Sequence, residues 1–148
     1  MLSNQKEVSV LLKETLSKAI VKRLNSHPVG AWLSGGLDSS VISALLRPHV
    51  DVLHTFAIGF PEAEDLKYAK IVAEHIRSTH HERFISFEDI IKALPYVIYH
   101  LESFDALLVR SSVMNYLVAQ LASEYVEEVF SGEGGDELFA GYHYIKEL

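Results

Sequence analysis

The sequence contains no cysteine. It therefore has no disulfide, no thiolate ligand for zinc and no cysteine nucleophile. Positive charge is also scarce, because 13 lysine and arginine residues face 20 aspartate and glutamate residues, which gives a formal net charge of −7. That balance argues against a nonspecific nucleic-acid surface, which needs a basic face.

Long apolar runs are missing from the amino-terminal part of the chain. Charged residues, among them Lys6, Glu7, Lys13 and Glu14, interrupt its apolar residues. This pattern suits neither a signal peptide nor a membrane span, so we expect a cytoplasmic protein with no membrane contact. A length of 148 residues, of which 49% are hydrophobic, predicts a single domain over residues 1–148 with a substantial core.

Apolar residues recur with a helical period between residues 5 and 24, which predicts an amphipathic amino-terminal helix. Packing into the core is the simplest use of its apolar stripe. Apolar area left over there could instead serve a dimer or a partner contact.

Further along, β-rich apolar segments alternate with helical patterns. The strands are predicted at the run starting at Val29 and at residues 52–60, 81–85 and 125–130. The helices are predicted at residues 39–46, 65–78, from Ser86 through a kink or break at Pro95, and at residues 110–123. This alternation predicts an α/β fold in which a doubly wound parallel sheet has helices on both faces.

The stretch VGAWLSGGLDSS, residues 29–40, runs from a predicted strand through two glycines into a predicted helix. Glycine allows close backbone approach, and the free N–H groups of a helix start favour an anion such as phosphate. No lysine lies between Lys22 and Lys67, so this is not a Walker A loop. Asp38 stands where a cation would be useful, and a carboxylate repels a polyphosphate unless a metal ion lies between them.

A second glycine-rich loop, residues 131–137 (SGEGGDE), follows the last predicted strand. Ligands of open α/β sheets bind outside the carboxyl ends of the strands, where the two loops are expected to meet. Asp38 and Asp136 would then supply one carboxylate each. Two carboxylates and phosphate oxygens form a site suited to Mg²⁺.

SGGLDSS resembles the pyrophosphate-binding loop (PP-loop) of the N-type ATP pyrophosphatases, and SGEGGDELFAGY resembles the matching stretch of asparagine synthetases and β-lactam synthetases. TFAIGF (residues 55–60) and VRSSVMNYL (residues 109–117) follow the same family order. The resemblance spans residues 29–142. It implies an adenine nucleotide alpha hydrolase-like fold of the HUP type, with ATP and Mg²⁺ as ligands.

The resemblance also implies roles for individual residues. The first loop would hold the β and γ phosphates through Ser34, Gly35, Gly36, Leu37, Asp38, Ser39 and Ser40. Trp32 and Ile58 would frame the adenine, largely through backbone groups, and Ser131 and Gly132 would lie along the ribose and α-phosphate. Glu133 would lie near the substrate, and Asp38 and Asp136 would bind Mg²⁺, which makes Asp38, Glu133 and Asp136 the candidate catalytic residues.

The implied reaction is adenylation of a small, aspartate-like carboxylate, release of pyrophosphate, and amidation of the acyl-adenylate. The sequence lacks the glutaminase domain of glutamine-hydrolysing members and ends soon after the second motif, so we expect a truncated synthetase domain. Lys146 is not assigned the role of the family's later lysine. A homodimer, or a complementary synthetase or glutaminase subunit, is the expected partner. The alternatives are a non-catalytic nucleotide-binding module or a partial subunit and, less favoured, a tRNA-modifying enzyme.

Several residues also have a purely structural interpretation. The first loop could be a plain strand-to-helix turn, and the second a solvated acidic turn. Arg110 could reach a phosphate or a carboxylate, or remain on the surface. Glu62, Glu64 and Asp65 favour a loop and a helix cap over a catalytic pair. His75, His80 and His81 could suggest a metal cluster, but consecutive strand residues point to opposite faces.

Overall fold

A four-stranded parallel sheet organises the structure, a computed structural model that describes residues 4–25 and 28–142. Its strands are β1 (Val29–Trp32), β2 (His54–Gly59), β3 (Thr79–Phe84) and β4 (Glu128–Phe130). They lie in the order β3-β2-β1-β4, and every neighbouring pair is parallel. The chain thus adds strands on one side of β1 and then returns to its other side. The carboxyl ends of β1 and β4 are adjacent at this switch point.

Six α-helices connect and flank the strands within the described residues. They are α1 (Gln5–Val21), α2 (Leu37–Leu46), α3 (Glu64–Ile76), α4 (Phe87–Leu101), α5 (Ala106–Ala122) and α6 (Gly135–Phe139), with a short 3₁₀ turn at Arg47–His49. None of the described helices is long and apolar enough to cross a membrane.

Helices cover both faces of the sheet, as predicted. On one face, Leu46 of α2 packs with Val29 and Ala31 of β1, and α3 adds a neighbouring cluster. On the other face, Phe56 of β2 packs beneath the second half of α5, in the same cluster as Val118 of that helix. Strand residues alternate in direction, so β1, β2 and β4 each contribute to clusters on both faces.

The amino-terminal helix differs from its prediction in two ways. It ends at Val21 instead of residue 24, because the following amides of Arg23 and Leu24 bond to carbonyls three residues back. Ile20 is its sole buried residue, whereas Val10 is 57% exposed and Leu11 48% exposed. The core-packing interpretation of this stripe is therefore wrong for most of the helix, which leaves apolar surface uncovered.

The helix after Ser86 forms with the predicted cap. Ser86 Oγ accepts from the amide of Asp89, and the Asp89 carboxylate accepts from the amide of Ser86. A kink or a break was predicted at Pro95, and the break is wrong, since α4 continues through Pro95. Pro95 and Ile91 both lie on the exposed side of α4, where water can bond to the carbonyl that loses its amide partner.

Two consecutive histidines of β3 point to opposite faces, as predicted. His80 Nδ1 lies 2.9 Å from Thr55 Oγ1 on one face, and His81 Nε2 lies 2.9 Å from His54 Nδ1 on the other. Partial burial lowers the pKa of His81, and the neighbouring His54 lowers it further. Among the described residues, no group of three histidines or carboxylates is placed to hold a metal ion.

Candidate nucleotide site

The first glycine loop leaves the central strand of the sheet. The amide of Leu33 still bonds to the Phe56 carbonyl at 2.9 Å, after which residues 34–36 lead into α2. Gly36 is the N-cap residue of α2 and provides no side-chain cap. The amides of the first turn of α2 are consequently available to an anion, which the helix dipole also favours.

Gly35 gives this loop its shape. Its backbone has a φ of +81°, a conformation that residues with a side chain rarely adopt. A Cβ atom there would lie 2.5 Å from Tyr68 Cβ and 2.6 Å from the amide nitrogen of Ala69 in α3. The loop is therefore pressed against the backbone of α3, and only glycine fits at this contact.

Serine hydroxyls brace the loop from inside. Ser39 Oγ accepts from the Ser34 amide at 3.2 Å and lies 3.0 Å from Ser34 Oγ. Ser40 Oγ donates to the Gly36 carbonyl at 2.6 Å, so this side chain is engaged in holding the turn. These bonds hold Ser34 and Ser39 at the mouth of the loop.

The second glycine loop meets the first, as predicted. A Cβ on Gly132 would lie 2.8 Å from the Ser39 amide nitrogen and 3.0 Å from Asp38 Cβ. A Cβ on Gly135 would lie 2.6 Å from Asp38 Cγ. Two glycines of the second loop thus make room for the aspartate of the first. The two loops lie close together because β1 and β4 are neighbouring parallel strands, in which Ala31 lies opposite Phe130.

A cavity of about 430 Å³ opens between the loops, a size within the roughly 300–1,000 Å³ range of small-molecule sites. One group of lining residues is polar and comes from the two loops; it includes Ser34, Asp38, Ser39, Ser131, Gly132, Glu133, Gly134, Gly135, Asp136 and Glu137. A second group is mostly apolar and comes from the strands and α5; it includes Trp32, Leu33, Phe56, Ala57, Ile58, Met114, Asn115 and Val118. Asp65, Leu66 and Tyr142 complete the lining.

All of the charged side chains that line this cavity, among the described residues, are negative. The described residues that line it contribute five carboxylates, on Asp38, Asp65, Glu133, Asp136 and Glu137, and no lysine, arginine or histidine. Each pair of unit charges roughly 4 Å apart repels by about 4 kcal/mol at an effective dielectric constant near 20. A triphosphate therefore needs a bridging cation here.

The donor set fits Mg²⁺. Within residues 4–25 and 28–142, no hydrogen bond engages the carboxylate of Asp38 or of Asp136. Mg²⁺ is usually held by one or two carboxylates together with substrate phosphates and water, and no third protein ligand is required.

The apolar part of the cavity contains an unsatisfied donor. Trp32 Nε1 is buried and has no hydrogen-bond partner among the described residues. A buried donor without a partner costs about 1–3 kcal/mol. Trp32 also lines the cavity, so its indole ring can pack against a heteroaromatic base.

Most residues predicted for the site line this cavity. They are Trp32, Ser34, Asp38, Ser39, Ile58, Ser131, Gly132, Glu133 and Asp136. The lining does not include Gly35, Gly36, Leu37 or Ser40, which shape the loop and the start of α2. Arg110 is exposed on α5 and is also outside the lining.

Sequence reasoning missed three kinds of lining residue. Asp65 was expected to cap α3, but Ala63 is the N-cap residue and Asp65 lies in the first turn, where it lines the cavity. Met114 and Asn115 lie within VRSSVMNYL, a motif to which no role was assigned. Tyr142 donates to Glu137 at 2.7 Å, and that hydrogen bond lowers the pKa of the Glu137 carboxyl.

Comparisons with known proteins agree on one family. The family model described as asparagine synthase matches residues 11–148. Asparagine synthetase [glutamine-hydrolyzing] 2 of Oryza sativa subsp. japonica is 40% identical over 148 aligned residues, which cover 92% of this chain and 25% of the relative. The probable asparagine synthetase [glutamine-hydrolyzing] of Dictyostelium discoideum is 37% identical, with 97% and 29% covered. The chain thus spans about a quarter of the length of these curated relatives.

Solved structures support the fold. The NH3-dependent NAD synthetase from Campylobacter jejuni superposes with a TM-score of 0.59 at 19% identity, covering 88% of this chain and 58% of the other. The NMN synthetase from Francisella tularensis superposes with a TM-score of 0.58 at 21% identity, covering 94% and 58%. At these identities the similarity establishes the fold, which is the predicted PP-loop, HUP-type α/β fold.

Proposed function

Because the chain belongs to the asparagine synthase family, we propose that it binds ATP with Mg²⁺ between its two glycine loops and uses it to activate a small carboxylate. The observation that carries the proposal is the contact of Gly132 and Gly135 with Asp38 beside a cavity without a cationic side chain in its described lining. A neutral ligand would not need two opposed carboxylates, and a free triphosphate would be repelled by them. A metal–triphosphate complex satisfies both constraints.

The roles follow the two groups of lining residues. Amides at the start of α2, with Ser34 and Ser39, bind the β and γ phosphates. Asp38 and Asp136 would hold Mg²⁺, which would supply positive charge near the pyrophosphate. Trp32 and Ile58 frame the adenine, and Ser131 and Gly132 lie along the ribose and α-phosphate. Glu133, at the exposed side of the second loop, lies next to the acceptor.

The reaction proceeds in two steps. A carboxylate oxygen of an aspartate-like acceptor attacks the α-phosphorus, and the bond to the β-phosphate oxygen breaks, which releases pyrophosphate. An amine nitrogen then attacks the acyl carbon of the adenylate, and AMP leaves. In the first step the chain's own residues contribute chiefly by positioning the reactants.

Calorimetry with ATP, in the presence of MgCl₂ or of EDTA, tests the metal-bridged site. Asp38→Asn should weaken ATP binding at least tenfold in Mg²⁺, because it removes a metal ligand. In EDTA the same change should leave binding equal or stronger, because it removes a repulsive charge. Asp51→Asn, an exposed aspartate outside the cavity lining, is the matched control and should change neither value. Equal weakening of binding by Asp38→Asn in both solutions would refute a bridging metal.

Turnover is tested separately. The chain is incubated with ATP, Mg²⁺, aspartate and ammonia, and AMP and pyrophosphate are quantified. Formation of both products, dependent on aspartate, supports the proposed activity. ATP binding without AMP across a panel of carboxylates would contradict it.

A nucleotide-binding module without its own catalysis is the second candidate. The lack of a lysine or arginine among the described lining residues favours it, because no side chain there can assist Mg²⁺ at the α-phosphate. In that case AMP would form only after a complementary synthetase or glutaminase subunit is added.

A further inference from the structure

The part of the cavity proposed for the base contains one conspicuous polar side chain. Trp32, Phe56, Ile58, Met114 and Val118 make this part apolar. Among the described lining residues, Asn115 alone has a side-chain amide. Apolar surface can stack with any base, so discrimination between bases depends on the few polar groups placed there.

Asn115 belongs to this part of the cavity because of the helix that carries it. Asn115 lies three residues before Val118 in α5 and Met114 lies four before it, so each of the two neighbours Val118 on the helix surface. Val118 packs in the cluster with Phe56 and Trp32, which fixes that face against the sheet. The helix therefore brings an amide to the edge of a space bounded by aromatic rings.

Asn115 has no evident part in holding the fold. Its side chain is exposed, and it makes no hydrogen bond with any residue in the described ranges. The exposed Gln120 of the same helix, by contrast, accepts from Arg83 at 3.5 Å and lies outside the lining. A free amide within an apolar wall is a group available to a ligand.

On these grounds, and resting on the proposed ATP site, we propose that Asn115 reads the edge of the bound adenine. A side-chain amide offers one donor and one acceptor side by side. Adenine presents the matching pair, an amino group that donates and an adjacent ring nitrogen that accepts, and asparagine pairs with such an edge in two hydrogen bonds. The apolar contacts made by Trp32 and Ile58 do not depend on the amino group, so Asn115 supplies the discrimination.

Binding of ATP and of purine riboside triphosphate, which lacks the 6-amino group, tests this assignment in Mg²⁺. The unchanged chain should bind ATP about tenfold more tightly than the analogue, within the range of one bidentate pair. Asn115→Leu should weaken ATP binding and bring the ratio close to one, while inorganic tripolyphosphate binds as before. Gln120→Leu removes a matched amide outside the cavity and should preserve the ratio.

The outcomes separate the two proposals. ATP binding with the same ratio in Asn115→Leu overturns the role of Asn115 and leaves the nucleotide site intact. Failure of the unchanged chain to bind ATP overturns the proposed function and this inference together. Asn115→Asp is a second variant that keeps the shape of the side chain but loses the donor. It keeps the acceptor for the amino group, so it should bind both ligands more weakly and still prefer ATP, and a folding defect in the leucine variant does not decide the result.

Discussion

The two glycine loops of the site are built differently, although each follows a parallel strand. The first follows β1, which pairs on both sides, and is held by serine hydroxyls and by the contact of Gly35 with α3. The second follows β4, a three-residue strand that pairs within the described sheet only with β1, and leads into the five-residue α6. The first loop is thus supported by the fold, whereas the second is positioned largely by its contact with Asp38.

The difference in support suggests different roles for the two loops. Under the proposed function, the braced first loop would hold phosphate at the start of a ten-residue helix. The lightly supported second loop would bring Asp136 and Glu133 to the ligand from a separate strand. Changes in the first loop should therefore affect stability, and changes in the second should affect binding. The four predictions below test that division, beginning with the largest effect.

Alanine at two glycines with similar backbones gives the strongest contrast. Gly35→Ala should destabilise the chain by about 2–4 kcal/mol, because a left-handed residue with a Cβ also collides with α3. Gly134 has a φ of +87° and nothing within 4 Å of a Cβ, so Gly134→Ala should cost only about 1 kcal/mol. Chemical denaturation measures both. Similar losses would show that the first loop is not braced by α3.

Within the second loop, contact with the first should decide the effect on binding. Gly132→Ala places a methyl group 2.8 Å from the Ser39 amide nitrogen and should push the loops apart. We expect MgATP affinity to fall about tenfold, which corresponds to roughly 1.4 kcal/mol, with little change in unfolding free energy. Gly134→Ala lies in the same loop, but its added Cβ would meet nothing within 4 Å, so it is the comparison for binding. Equal affinities of the two variants in calorimetry would contradict a contact-positioned loop.

Hydroxyl deletions compare the internal bracing of the loops. Ser39→Ala removes the acceptor of the Ser34 amide and should lower the unfolding free energy by about 1 kcal/mol. Ser131→Ala removes one long hydrogen bond, in which the Glu133 amide donates to Ser131 Oγ at 3.4 Å. The unfolding free energy should fall by a few tenths of a kcal/mol at most. Thermal unfolding in the absence of nucleotide measures both. A larger loss for Ser131→Ala would reverse the comparison.

The smallest expected effect is a pH dependence in the second loop. The Tyr142 hydroxyl lowers the pKa of Glu137 below its ordinary value of 4.5. A carboxyl with a lowered pKa contributes stability above its unfolded pKa and loses it as pH falls through the folded value. Tyr142→Phe should return the pKa of Glu137 towards 4.5 in an NMR titration. An unchanged pKa of Glu137 would mean that the hydrogen bond from Tyr142 to Glu137 does not form in solution.

The fold and the meeting of the loops could be predicted because their signals are local. SGGLDSS and SGEGGDE each follow a strand, and parallel strands end at one edge, so Asp38 was expected opposite the second loop. The histidine directions followed from the two-residue period of β3 in the same way. These predictions used short stretches of chain and one topological rule.

The predictions that failed depended on contacts with distant residues and on exposure to solvent, which a local sequence pattern does not reveal. A helical period in α1 gives the direction of the apolar stripe but not whether anything covers it, and Leu11 is exposed. Pro95 was expected to kink or break α4, yet the helix continues through it, because Pro95 lies on the exposed side, where water can replace the lost bond. Asn115 gave no signal, because a single amide in an apolar helix becomes informative only beside Trp32 and Phe56.

An NMR titration of the labelled chain with ATP and Mg²⁺ tests the central claim most directly. Amide signals from both loops, represented by Ser39 and Gly132, are followed in the same samples. The two-loop site predicts that both shift with one shared dissociation constant and that EDTA reverses both shifts. Shifts confined to one loop, or two different dissociation constants, would contradict a single metal-bridged nucleotide site.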